Sequence, residues 1–121
     1  MSFREHIQMI AEGVPGAVTC TVMGVDGIAI DSFERGGAKV DVPTLLAEYS
    51  SAVQQLRRGA AQQPETGRIE ELVVNSSNLT AVMRLLTEEY FLAVVLNDSS
   101  YLGKARYLMR VRAPFILKEL G

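Results

Sequence analysis

His6 and Cys20 are the two side chains whose types could support nucleophilic or acid–base chemistry, and each is the sole residue of its kind in the 121-residue chain. A nucleophile needs a base within hydrogen-bond reach and a third group to orient that base. His6 falls on the flank of an amphipathic segment, and Cys20 falls inside the apolar run from Ala17 to Met23. Both therefore read as structural, the thiol as a small buried hydrophobe. The adjacent carboxylates Glu70-Glu71 and Glu88-Glu89 point to opposite sides if they lie on strands, so no metal site is expected. Neither a Gly-x-x-x-x-Gly-Lys loop nor a Gly-x-Gly-x-x-Gly turn occurs. The sequence thus assigns no catalytic residue and no cofactor, and an enzyme reading would rest on His6 or Cys20 alone.

The remaining candidates are charges. Arg57-Arg58 reads as the cationic last turn of a helix, where it complements the helix dipole, although the pair would also suit an acidic partner or a phosphate. Lys104, Arg106, Arg110 and Arg112 make a second basic run, but few aromatic residues interleave it, which favours a solvated face over a nucleic-acid surface. The formal net charge of −2 supplies no general attraction to phosphate backbones or anionic membranes. The longest apolar run, Tyr90 to Leu96, is far too short to span a bilayer, and no secretory pattern opens the sequence. A cytoplasmic protein with no nucleic-acid or membrane partner is expected, folded as one domain over residues 1–121 with 48% apolar residues.

These residues are carried by a legible series of elements. Ser2-Phe3-Arg4-Glu5 has the capping-box form, and Phe3, Ile7 and Ile10 recur at helical spacing, so a helix is predicted over about residues 3–12. Ala17 to Met23 and Ile28 to Asp31 flank Asp26-Gly27 as a tight hairpin, with Ile28 and Ile30 on one side and one face of the hairpin in the core. Asp41 before Val42-Pro43 starts a second helix, expected over about residues 43–60. Its apolar stripe is Leu45, Leu46, Tyr49, Ala52, Val53, Leu56 and Ala60, and its opposite side is small: Ala47, Ser50, Ser51 and Gln54, with Arg58. Ile69 to Asn75, Leu79 to Leu86 and Tyr90 to Leu96 read as a three-stranded meander. The last strand has no polar side and needs cover on both faces. A final helix carries Leu102, Ala105, Leu108, Met109, Ala113, Ile116 and Leu120, with a kink or interruption expected before Pro114.

The predicted class is α+β: an α-β-β-α-β-β-β-α sandwich with a five-stranded antiparallel sheet, one helix on one face and two on the other. A single helix cannot cover a five-stranded face, and the small side of the second helix would permit close helix contact. The strand Ile69 to Asn75 would also leave an edge unpaired. Together these predict a two-fold dimer whose interface contains Ala47, Ser50, Ser51, Gln54, Ile69, Glu71 and Val73.

The order of elements, Gly-Val-Pro-Gly-Ala before the first strand, the Val-Asp-Gly-Ile-Ala-Ile-Asp-Ser hairpin and Leu-Asn-Asp-Ser-Ser-Tyr-Leu-Gly-Lys-Ala-Arg resemble the Roadblock (dynein light chain) family over nearly the whole chain. Within it, the segment from Val94 to Arg106 is similar to short prokaryotic members of the mutual gliding-motility protein B type. The resemblance implies a homodimer joined through the second helix and third strand. It also implies a regulator that binds a small Ras-like GTPase and, in some members, stimulates hydrolysis by repositioning the GTPase's own groups. On this chain the implied partner contacts are Glu48, Ser51, Gln55 and Arg58. The alternative is a structural adaptor or scaffold subunit of a larger motor, motility or signalling complex. Pro114 and the arginine-rich last helix depart from the family pattern.

Overall fold

The computed structural model describes residues 2–121. Helix α1 (Phe3–Gly13) begins on the expected box: the Ser2 hydroxyl accepts from the Glu5 amide, and the Glu5 carboxylate accepts from the Ser2 amide. These bonds, the backbone one foremost, hold the Glu5 carboxyl below its usual range. At the far end Arg35 donates to the carbonyls of Ala11 and Val14 at 2.8 and 3.1 Å, satisfying acceptors that a helix terminus leaves free. Then follow β1 (Ala17–Gly24), β2 (Ala29–Glu34), α2 (Val42–Ala61), β3 (Glu71–Asn75), β4 (Thr80–Leu85), β5 (Tyr90–Leu96) and α3 (Leu102–Leu120).

The sheet runs β2-β1-β5-β4-β3 with every neighbouring pair antiparallel. β5 is central, and Phe91 to Leu96 are fully buried, as a strand with two apolar sides requires. On one face Cys20, Val22, Leu92 and Val94 meet Ile7 and Ile10 of α1 and Met109 and Ile116 of α3. On the other, Met83, Phe91, Ala93 and Val95 meet Leu46 and Val53 of α2. The sandwich therefore has the layers that the sequence predicts.

Three local features differ from expectation. The first hairpin does not turn on two residues. Gly27 N–H donates to the Gly24 carbonyl at 2.9 Å and Gly24 N–H donates to the Ile28 carbonyl at 2.8 Å, enclosing Val25, Asp26 and Gly27 as a three-residue loop. Only Gly27 has positive φ (90°), so the loop follows the pattern of a turn closed by a left-handed glycine rather than a pair of left-handed residues. Second, β2 runs Ala29–Glu34 where Ile28 to Asp31 was expected; Ile28 and Ile30 are 67% and 48% exposed, and the inward contact of this edge strand is made by Phe33. Third, α3 is one continuous helix through Pro114. Pro114 lies on the exposed side while Ala113 and Ile116 are anchored in the core, so the carbonyl that loses its donor is not sealed inside.

Candidate functional site

The single-residue chemistry is accounted for by packing. Cys20 is fully buried, and burial pushes its thiol well up, away from the thiolate a nucleophile needs. His6 is 4% exposed and stacks on Phe115 with ring centroids 5.5 Å apart. Its Nδ1 is buried without a hydrogen-bond partner. Burial, and next the Arg112 guanidinium, hold the imidazole below its ordinary range, so it sits neutral between α1 and α3. Among the described residues no three His, Cys, Asp or Glu side chains are grouped to hold a metal ion. No helix among them is long and apolar enough to cross a membrane.

The face that remains is built on α2. Its buried positions are Val42, Leu46, Ser50 and Val53, so the helix is turned by roughly 60° from the centre of its apolar stripe toward its small side. The cause is a close approach. Gly27 has no side chain, and a Cβ placed there would stand 3.2 Å from the Ala47 Cβ and 3.7 Å from the Ser50 Oγ. Ser50 is 2% exposed and donates to the Ala47 carbonyl at 2.5 Å, which satisfies its hydroxyl in the core. Ser50 is thus removed from the outer surface expected for it, and Ala47 and Gln54 are half-buried beside it, while Ser51 and Arg58 are exposed.

The rotation uncovers the other flank. Leu56 is 43% exposed, Ala52 is exposed, and Leu45 and Tyr49 are only half-buried. On the same face of the sheet the edge strand β3 presents Leu72 and Val74, also half-buried. In the sequence Leu45, Tyr49, Ala52 and Leu56 belong to the apolar stripe of the helix, and the approach of Gly27 to Ala47 and Ser50 that turns part of that stripe outward joins two distant segments. Two of the β3 residues expected at the interface face away from α2. Glu71 and Val73 alternate with Leu72 and Val74 and so point to the α3 side, where Glu71 accepts from Arg106 at 2.6 and 2.9 Å; Ile69 precedes the strand.

Glu48, Ser51, Gln55 and Arg58 do share one face: spaced three and four apart, all four are exposed on the side of α2 turned from the sheet. Arg57 has a different task from the helix-dipole role expected for it. Its guanidinium crosses to the β4–β5 turn and donates to the Thr87 and Glu88 carbonyls at 2.7 and 2.9 Å.

MglC from Myxococcus xanthus is a solved structure similar to this chain, 41% identical across 98% of this chain and 99% of that one, with a TM-score of 0.68. The chain belongs to the Roadblock family. A Roadblock/LC7 domain from Streptomyces avermitilis (16% identity, 93% of this chain and 96% of that one, TM-score 0.69) shares the Roadblock fold. So does an MglB structure with a tetrameric arrangement (17% identity, 97% and 86%, TM-score 0.83). Neither family models nor curated proteins return a match. Within the Roadblock frame, α2 and β3 present apolar surface on the same face of the sheet, and β3 adds an open edge beside it.

Proposed function

We propose that the chain is a cytoplasmic homodimer that regulates a small Ras-like GTPase by binding it, without catalytic groups of its own. The observation that carries the self-association is the unfinished surface on one face: Leu45, Tyr49, Ala52 and Leu56 of α2 beside Leu72, Val74 and the unpaired edge of β3. A two-fold copy laid on it would bury the apolar flank and pair the edge in one step. Residues Ala47, Ser51 and Gln54 would lie at the margin of that contact. The tetrameric arrangement described for MglB supports self-association as a property of the fold.

The polar stripe Glu48, Ser51, Gln55 and Arg58 then becomes the surface offered to the GTPase. It is exposed in the single chain, and a helix pair would double it across the two-fold axis. A surface of this kind acts by holding the partner's switch segments, which needs no residue of unusual reactivity.

The test is to mix the protein with GTP-loaded Ras-like GTPases of the same genome and measure co-elution and hydrolysis. A complex whose hydrolysis or exchange rate changes supports the reading. A complex with unchanged turnover moves it to the adaptor role, and no complex with any of them overturns it.

A further inference from the structure

A groove of about 720 Å³ opens where the α2 C-terminus, the segment before β3, the β4–β5 turn and the second half of α3 converge. Four arginines line it, Arg57, Arg68, Arg84 and Arg110, against two glutamates, Glu70 and Glu88. That is a local net charge of +2 in a chain whose formal net charge is −2. The arginines are not there to neutralise the glutamates. Arg57 is spent on the turn carbonyls of Thr87 and Glu88, and among the described residues Arg68, Arg84 and Arg110 form no ion pair. Arg110 lies instead over the Tyr107 ring of its own helix, 5.7 Å from the centroid.

The lining between the arginines is apolar: Ile69, Leu85, Leu86, Ala113 and Leu117. Leu117 is 37% exposed. Pro114 stands in the same wall, and because proline has no N–H it leaves the Arg110 carbonyl without its helical donor. Unpaired guanidinium groups over an apolar floor are a surface for a chain that brings both complements, carboxylates and apolar side chains.

We infer that this groove binds an acidic, apolar-containing peptide segment of a partner protein. Free phosphate or a polyanion fits less well, since it would leave the apolar floor wet and meet Glu70 and Glu88; a membrane surface does not match a concave site. The groove borders the α2 flank at Ala60 and Ile69, but none of Leu45, Tyr49, Ala52, Leu56, Leu72 and Val74 and no residue of the Glu48–Arg58 stripe lines it, so it stands whether or not a GTPase is the partner.

The probe is a fluorescein-labelled pool of dodecapeptides that alternate Asp or Glu with Leu, Ile or Phe, followed by fluorescence anisotropy against the full chain. Control pools replace the acids with Lys or the apolar residues with Ser; single-stranded RNA and phosphatidylserine vesicles are tested beside them. The acidic–apolar pool should bind at least about tenfold tighter than every control and weaken several-fold on raising the salt past a Debye length of a few ångströms. R68E/R110E, at exposed positions that the fold does not need, should weaken it by about tenfold or more with circular dichroism and oligomeric state unchanged. L117S should weaken it while leaving its salt dependence. Equal binding of the control pools, tighter binding of RNA or vesicles, or indifference to R68E/R110E overturns the inference.

Discussion

Gly27 and Ala47 meet where the β1–β2 turn packs on α2, and a methyl group on Gly27 would crowd the helix: a Cβ there would lie 3.2 Å from the Ala47 Cβ. Gly27 also holds φ at 90°. Gly27→Ala should therefore lower stability by about 1–3 kcal/mol, from left-handed strain and the clash together, read as the midpoint of urea unfolding. Ala47→Gly in the same chain should recover the steric part only. Equal stability of the Gly27→Ala variant would mean that the turn does not set the pose of the helix.

Ser50 and Leu56 separate the fold from the proposed interface. Ser50→Glu buries a carboxylate at a 2% exposed site and should cost several kcal/mol, enough to unfold much of the population. Leu56→Glu, on the uncovered flank, should leave thermal unfolding of the single chain nearly unchanged and convert the proposed dimer to monomer by light scattering. A dimer that survives Leu56→Glu would remove α2 from the contact.

Arg57 joins α2 to the β4–β5 turn through the Thr87 and Glu88 carbonyls. Arg57→Ala should destabilise by about 1–3 kcal/mol, the usual range for hydrogen bonds from a charged donor. Faster amide exchange at the β4–β5 turn is the local signature, and unaltered exchange there would contradict it.

His6 supplies a pH dependence with a definite sign. Its folded-state pKa is lowered from 6.5, first by burial and then by Arg112, while Glu119 and Glu5 oppose the shift. The unfolded chain therefore binds more protons than the folded one as pH falls from about 6.5 toward the lowered value, so stability falls with pH across that window and levels off below it. His6→Phe, which keeps the stack on Phe115, should flatten that part of the profile in thermal unfolding from pH 7.5 to 5. A slope that persists in His6→Phe must come from other groups.

Periodicity carried most of the architecture. The apolar run of β1, the two-sided apolarity of Phe91–Leu96 and the i, i+4 spacing of Ala105, Met109 and Ala113 each follow from what a strand or helix must bury, and local pattern records that directly. The rotation of α2 was not legible, because it depends on a contact between residues twenty positions apart, Gly27 and Ala47, that neither segment announces alone. Pro114 misled for a related reason. Its cost in a helix interior depends on whether the freed carbonyl is buried, and that is a tertiary fact. The pocket of arginines was likewise scattered over Arg57, Arg68, Arg84 and Arg110, a set that only the fold assembles.

The strand order has a consequence for synthesis. β5 is the last strand to leave the ribosome, yet it is the one that joins β1 to β4 at the centre of the sheet. Until Tyr90–Leu96 emerges, the β1–β2 hairpin and the β3–β4 hairpin have no shared partner, and Ala17–Gly24, buried at every position in the finished protein, stays open along one edge. The two hairpins should therefore assemble only once β5 has emerged, in one cooperative step whose pace is set by closing a loop from β1 to β5.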